Sequence, residues 1–323
     1  MTDPNTRARA LSIAGSDSGG GAGIQADLKT FSAFGVFGMT AVTAVTVQNT
    51  VGVQGFEAIS AGTVADQIRA VASDIGVDAA KTGMLANAPI VEAVAAAVAE
   101  TAIPNLVVDP VFVSKHGHVL LAEDAVGALR TRILPLATIV TPNLPEAAGL
   151  AGFAVETRAQ MRRAADAILA LGAGSVLVKG GHLEDPARSS DLLVGPSWEG
   201  WLEAERIDTP NTHGTGCTLS AAIAARLALG DAVPDAVRAA KTFVTEAIRH
   251  ALTLGGGIGP VDPMWSIGPE HPLRPGRASP GRPLQTAPAG RQGGPPPGRP
   301  CTYEATPSGR GGRADPDAHG PHL

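Results

Sequence analysis

A chain of 323 residues with 44% hydrophobic and 17% charged side chains has apolar material for one large α/β domain or two smaller ones. Its formal charge of −5 is uneven: seven arginines against four carboxylates put residues 267–323 at +3 and residues 1–266 at −8, an acidic body that argues against nucleic acid as a partner. The longest apolar stretches, such as residues 90–98, are cut by Glu92 and fall far below the roughly 20 residues of a bilayer span, so no membrane partner is expected.

Residues 1–9 lack the apolar stretch of a secretory signal and read as a flexible lead into a cytoplasmic protein. Short apolar, β-branched runs at 10–14, 41–47, 106–109, 138–141 and 175–179 read as strands. Between them lie helical patterns: Val64, Ile68, Val71 and Ile75 share one face, as do Met161, Ala165, Ile168 and Leu171, and residues 218–229 form a small-residue helix. Strands alternating with helices imply right-handed crossovers and a mainly parallel sheet covered on both faces. Ligands of such sheets sit beyond the carboxyl ends of the strands. Residues 267–323 hold 13 of the 26 prolines and 11 of the 40 glycines, with Ile267, Leu273, Leu284 and Leu323 as the only aliphatics beyond alanine. Such a segment buries too little to offset chain entropy and is expected to be a disordered tail. Cys217 and Cys301 stand in dissimilar surroundings, and no disulfide between them is expected.

Four motifs follow predicted strands. The first, GSDSGGGAGIQAD at residues 15–27, contains Gly21-x-Gly23-x-x-Ala26 in the spacing of a dinucleotide fingerprint. The acidic residue which that fingerprint needs at the end of the second strand is replaced by Val47-Gln48-Asn49-Thr50. The alternatives are a glycine loop wrapped round a small planar ligand, with Asp27 and Gln48 as hydrogen-bonding groups, and a plain tight turn with Asp27 as a first-turn helix acid.

The second motif is NTHGTGC at residues 211–217. Gly214, Thr215 and Gly216 leave backbone N–H groups pointing outward at a helix start, an anion hole without a P-loop lysine. Cys217 sits where a thiol pKa tends to fall; it reads as a base, a hydrogen-bond donor or a small packed side chain. In the third, TPNLPE at residues 141–146, Asn143 and Glu146 are spaced either to offer oxygens to Mg²⁺ or to cap a helix. Asp109, at another strand end, is a further carboxylate of that kind. The fourth, VKGGH at residues 178–182, brings Lys179 out of a strand as an anion-binding group, with a surface lysine as the alternative. His116, His182 and His213 lack the spacing of a zinc site.

Together with VQNT at 47–50, KTGML at 81–85 and DPVFVSKHG at 109–117, these blocks resemble, in order and over about residues 10–266, the hydroxymethylpyrimidine/phosphomethylpyrimidine kinases of thiamin synthesis. The resemblance implies a ribokinase-like three-layer α/β/α sandwich over residues 10–266, a homodimer, ATP with Mg²⁺, and two successive phosphorylations of 4-amino-5-hydroxymethyl-2-methylpyrimidine. It implies a pyrimidine pocket of Gly15, Ala22, Asp27, Gln48, Met84 and Val111, with Gln48 on the ring's amino and nitrogen edge. It implies an anion hole and catalytic position at Gly214, Thr215, Gly216 and Cys217, nucleotide contacts from Asn143, Lys179, Thr215 and Gly216, and metal contacts from Asp109 and Glu146. In this reading Cys217 thiolate is the base of the first step, and residues 114–118 form a flap. The chain departs from the family's usual pattern at Ser18, Gly19, Phe112 and His116. A pyridoxal-type kinase of the same fold and a non-catalytic pyrimidine-binding regulator are the rival readings.

Overall fold

The structure is a computed structural model that describes residues 6–112, 123–181, 183 and 187–267. The expected flap, His116, His182, Cys301 and all of the tail beyond Ile267 lie outside the described residues.

In chain order the elements are β1 (Arg9–Ser16), α1 (Gly23–Ala33), β2 (Phe37–Asn49), β3 (Gly52–Ala58), α2 (Ala61–Asp74), β4 (Ala79–Thr82), α3 (Ala88–Glu100), β5 (Leu106–Val108), α4 (Glu123–Ala128), β6 (Ile139–Val140), α5 (Leu144–Ala151), α6 (Arg158–Leu169), β7 (Val176–Val178), β8 (Arg188–Gly195), β9 (Trp198–Glu205), α7 (Thr215–Ala228) and α8 (Val233–Arg249). Four of the helices, α2, α3, α5 and α6, begin where a short polar side chain takes an orphan N–H. Ser60 accepts from Thr63 N, Asn87 from Ile90 N, and Asn143 and Thr157 each form a reciprocal capping box with the residue three places on.

The strands form one sheet in the order β3-β2-β1-β4-β5-β6-β7-β8-β9. The run from β2 to β7 is parallel, and β3, β8 and β9 are added antiparallel at the two edges. The central strands β4, β5, β6 and β7 are buried throughout, as strands covered on both faces must be. One cover layer packs Val64, Ile68, Ile90, Val94, Leu150, Met161 and Ile168 from α2, α3, α5 and α6. The opposite layer packs Phe31, Leu219, Ile223, Val237 and Phe243 from α1, α7 and α8.

The five strand expectations each meet a strand: 10–14 and 41–47 fall within β1 and β2, and 106–109, 138–141 and 175–179 overrun β5, β6 and β7 by one or two residues. Strands β3, β4, β8 and β9 carry no comparable signal. β4 reads Ala-Ala-Lys-Thr, and β8 and β9 pair as a hairpin whose outer strand mixes Trp198 and Trp201 with three glutamates. The chain winds from β1 outward to β2 and β3, then returns to β4 on the other side of β1. That reversal opens a crevice at the carboxyl ends of β1 and β4, where ligands of open parallel sheets bind.

Candidate active site

All four sequence motifs border this crevice, which holds a cavity of about 780 Å³. The Gly-rich loop follows β1, Gly83 and Met84 follow β4, Asp109 follows β5, Asn143 follows β6 and Lys179 follows β7.

The Gly-rich loop is organised by Asp17, a nearly buried carboxylate. Its Oδ1 accepts from Gly19 N at 2.8 Å, and its Oδ2 accepts from Gly21 N at 3.1 Å and Ala22 N at 2.8 Å. The same Oδ2 lies 3.0 Å from His213 Nε2, in the second motif. Burial alone would raise the Asp17 pKa, but the His213 and backbone N–H groups outweigh it and hold the carboxyl below its ordinary value. Gly214, with φ +82°, packs against the carbonyl of Gly21 so closely that any side chain there would overlap that oxygen. The glycine slot and the helix start are thus in direct contact.

At the start of α7 no side chain caps the helix. Thr218 N bonds to Gly214 O at 2.9 Å, and Thr215 N makes only a 3.4 Å bond to Thr212 O. Gly216 N and Cys217 N have no partner among the described residues, so two amides with the helix dipole behind them face the cavity. A methyl group at Gly216 would stand 3.5 Å from Asp109 Oδ2 and 3.6 Å from Lys179 Nζ.

β6 and β7 are neighbours, so Asn143 and Lys179 sit side by side in a parallel bridge. Lys179 Nζ donates to Asp109 Oδ1 at 2.9 Å and lies 3.9 Å from Glu146 Oε2. Asn143 and Glu146 do form the helix cap that their spacing allowed, with Glu146 N to Asn143 Oδ1 at 2.9 Å and Asn143 N to Glu146 Oε2 at 2.8 Å. Both nevertheless border the cavity. Burial pushes Glu146 up to about 7; Asp109 adds to the rise, and Lys179 and the Asn143 and Phe112 N–H groups oppose it.

Of the predicted pyrimidine-pocket residues, Gly15, Ala22, Gln48, Met84 and Val111 line the cavity. Asp27 does not. It is fully buried behind the wall, with both oxygens on Lys81 Nζ at 3.0 and 3.1 Å and Ser12 Oγ 2.5 Å from Oδ2. The expectation of a direct ligand bond from Asp27 is corrected accordingly: its charge is spent on an internal ion pair. Cys217 needs a second correction. Burial pushes its thiol up to about 11, helped by the Asp27 and Asp109 carboxylates and resisted by Lys81 and Gly23 N–H. The helix start, expected to lower that pKa, is outweighed by desolvation, and the resting group is a neutral thiol rather than a thiolate.

Over residues 17–262 the chain matches the family Phosphomethylpyrimidine kinase. The chain belongs to the phosphomethylpyrimidine kinase family. It is 55% identical over 267 residues to the hydroxymethylpyrimidine/phosphomethylpyrimidine kinase of Streptomyces coelicolor, covering 83% of this chain and 98% of that one. Among solved structures it is similar to an ADP complex of Bacillus subtilis pyridoxal kinase, with a TM-score of 0.75 and 44% identity over 80% of this chain and 98% of that one. It is also similar to the phosphomethylpyrimidine kinase of Clostridium difficile 630, with a TM-score of 0.67 and 43% identity over 74% of this chain and 99% of that one. The ribokinase-like sandwich expected from the sequence is the fold of these neighbours.

Within this phosphomethylpyrimidine kinase family chain, sequence reading overlooked several residues that build the site. Asp17 and His213 lay inside quoted motifs, but their contact spans 196 positions. Lys81 had no signal beyond its place in KTGML, and Asp191 and Lys241, paired at 2.7 Å on the cavity wall, had none. Among the described residues no cluster of three or more His, Cys, Asp or Glu forms a metal cage, and no helix is long and apolar enough to cross a membrane.

Proposed function

We propose that the chain transfers the terminal phosphoryl group of ATP to the hydroxymethyl group of 4-amino-5-hydroxymethyl-2-methylpyrimidine and then phosphorylates the resulting monophosphate. The observation that carries this reading is the contact of Gly21 with Gly214, which joins the Gly-rich loop to the uncapped start of α7 on one cavity. The Streptomyces coelicolor relative at 55% identity is named for both steps, and the Clostridium difficile 630 structure for the second.

The residues divide the work. Gln48, with Gly15, Ala22, Met84 and Val111 around it, would bind the pyrimidine ring. The Gly216 and Cys217 amides would hold the transferring phosphoryl oxygens as charge develops on them, which preorganised donors do at no reorganisation cost. Lys179 adds a fixed positive charge between Asp109 and the cradle. Two carboxylates share that one lysine, and Glu146 sits near 7, an excess of negative charge that a divalent cation would relieve. Mg²⁺ characteristically takes one or two carboxylates together with waters and nucleotide phosphates, so Asp109 and Glu146 fit it without a full protein cage. Bound there, Mg²⁺ would supply charge neutralisation on the phosphates.

Cys217 enters the first step as a neutral thiol that orients the acceptor hydroxyl. A loose phosphoryl-transfer transition state asks little of a base. In the second step the acceptor is an anionic phosphate and needs none. The protein is further proposed to act as a cytoplasmic homodimer, with residues 10–266 sufficient for catalysis; light scattering and the activity of a chain cut after residue 266 test these two points.

The decisive experiment is mass spectrometry of products after incubation with Mg-ATP and the pyrimidine, where mono- and diphosphate peaks report both steps. Absence of both peaks sinks the proposal. The likeness to a pyridoxal kinase structure motivates a second reading, which competition between pyridoxal and the pyrimidine separates.

A further inference from the structure

The carboxamide of Gln48 stands between two groups that dictate which of its ends is which. Its nitrogen is placed 3.3 Å from His213 Nε2, and its oxygen 3.2 Å from Thr46 Oγ1. The two ends of a carboxamide are alike in shape, so the hydrogen-bonding partners must assign them.

Asp17 settles the His213 side. Its carboxylate already accepts three backbone N–H groups, at 2.8, 3.1 and 2.8 Å, and is an acceptor only. His213 Nε2, 3.0 Å from Asp17 Oδ2, must therefore carry a proton and donate it, whatever the charge of the ring. A protonated ring nitrogen cannot accept from an amide N–H₂, so the end of Gln48 that faces it has to be the oxygen.

Thr46 gives the same answer independently. Its hydroxyl lies 2.9 Å from the Ser16 carbonyl, which can only accept, and so spends its single hydrogen there. Toward Gln48 it has only lone pairs to offer, and the end of the amide at Thr46 has to be the N–H₂. With Oε1 toward His213 and Nε2 toward Thr46, every donor in this group meets an acceptor. His213 itself is held on both sides by main-chain bonds, His213 N to Gly259 O and Val261 N to His213 O, each 3.0 Å.

We propose that Asp17, His213 and Thr46 are positioning residues that lock the Gln48 carboxamide with its oxygen on the His213 side and its N–H₂ on the Thr46 side, and that this lock selects an amino-pyrimidine over its oxo counterpart. The free lone pair of Oε1 then takes an N–H of the exocyclic amino group, and the free N–H of Nε2 donates to the adjacent ring nitrogen. An oxo-pyrimidine presents the reverse edge, a carbonyl oxygen beside a ring N–H. It meets the locked fork acceptor to acceptor and donor to donor, and buried mismatches of that kind are far costlier than lost apolar contact. The ring's amino group then lies on the His213 side of Gln48 and its ring nitrogen on the Thr46 side.

The inference rests on the pyrimidine reading above, and the test keeps the two apart. The measured quantity is kcat/KM for the amino substrate divided by that for the deaminated oxo analogue, in wild type, His213→Phe, His213→Gln and Thr46→Val. Wild type is expected to favour the amino substrate by about a hundredfold or more. His213→Phe and Thr46→Val, which free the amide to turn, should lower that ratio by about tenfold. His213→Gln, which restores an N–H toward Asp17 and Gln48, should keep it within about threefold. If wild type does not phosphorylate the amino substrate, the pyrimidine assignment itself fails. If it does, but both freeing variants lose activity on the two substrates by a common factor with the ratio intact, the lock is refuted. Thr46→Val carries the test alone should His213→Phe not fold.

Discussion

Gly214 lies against the carbonyl oxygen of Gly21, with no room between them for even a methyl group. The two residues belong to motifs almost two hundred positions apart. Their contact is what turns a glycine loop and a helix start into one site. A Gly214→Ala variant meets this wall and also a φ of +82°, a left-handed conformation that costs a side-chain-bearing residue about 1–2 kcal/mol before any clash. Its kcat/KM for pyrimidine phosphorylation should fall by about a hundredfold or more, because a small displacement of the cradle spoils near-attack geometry. Steady-state kinetics and a thermal melt measure both effects, and unchanged kinetics would show that the contact is incidental.

Lys179 is expected to serve both the fold and the reaction. Lys179→Met leaves Asp109 and Glu146, both nearly buried, without their shared cation. Removing one partner of a buried charge group costs about 3–5 kcal/mol. Turnover should fall about a hundredfold or more through lost transition-state charge stabilisation. Denaturant unfolding in the absence of nucleotide, beside turnover at saturating Mg-ATP, separates the two contributions.

Glu146 makes stability pH-dependent in a definite sense. Its carboxyl rises from an ordinary 4.5 to about 7 in the fold. Between those values the folded chain holds a proton that the unfolded chain has released, so unfolding free energy falls as pH climbs through the window and levels off above it. The full span corresponds to about 3 kcal/mol. Glu146→Gln removes this slope while keeping an oxygen for Asn143 N. Urea titrations at intervals from pH 4.5 to 8, without nucleotide or Mg²⁺, compare the two curves; parallel curves would contradict the assignment.

Cys217 should alkylate slowly at neutral pH. With its thiol held up to about 11, the rate of carbamidomethylation rises about tenfold for each pH unit through the neutral and mildly basic range. Peptide mass spectrometry distinguishes Cys217 from Cys301. A neutral thiol also predicts that Cys217→Ala loses less than about tenfold in either phosphorylation, below the usual worth of a general base. A loss confined to the hydroxyl step and a hundredfold deep would restore the base role.

The buried pair of Asp27 and Lys81 should behave as a unit. Each side chain is fully buried. Asp27→Asn or Lys81→Met alone strands a charge and costs about 3–5 kcal/mol, whereas the double variant should cost clearly less than the sum. A double-mutant cycle in denaturant gives the coupling energy. Additive losses would mean that the two groups do not depend on each other.

Much of this was legible along the chain. The apolar runs in β1, β5, β6 and β7 and the periodic faces of α2 and α6 follow from burial, because a strand covered on both faces must be apolar and a helix covered on one must repeat every third or fourth residue. The run in β2 was legible from its β-branched composition, since Val45 and Val47 stay exposed. Gly214 and the NTHGTGC run announced an uncapped helix start because glycine and the absence of a capping side chain are local properties. Strands β8 and β9 escaped notice since an edge hairpin with one exposed face tolerates Trp198, Glu199 and Glu203 alike. Three of the motifs reach the crevice because they trail the parallel strands β1, β6 and β7, whereas NTHGTGC comes after the antiparallel edge strand β9 and is brought there by the tertiary fold.

The sequence by itself determined a parallel, doubly covered sheet and the residues that border its carboxyl-end crevice, for these depend on periodicity and on neighbours within a few positions. Only the tertiary structure decided what each charge does. Asp27 turns inward to Lys81, Asp17 reaches His213, and Cys217 stays a neutral thiol. The physical reason is that burial and long-range pairing set ionisation and hydrogen-bond direction, and neither is a property of any short stretch of chain.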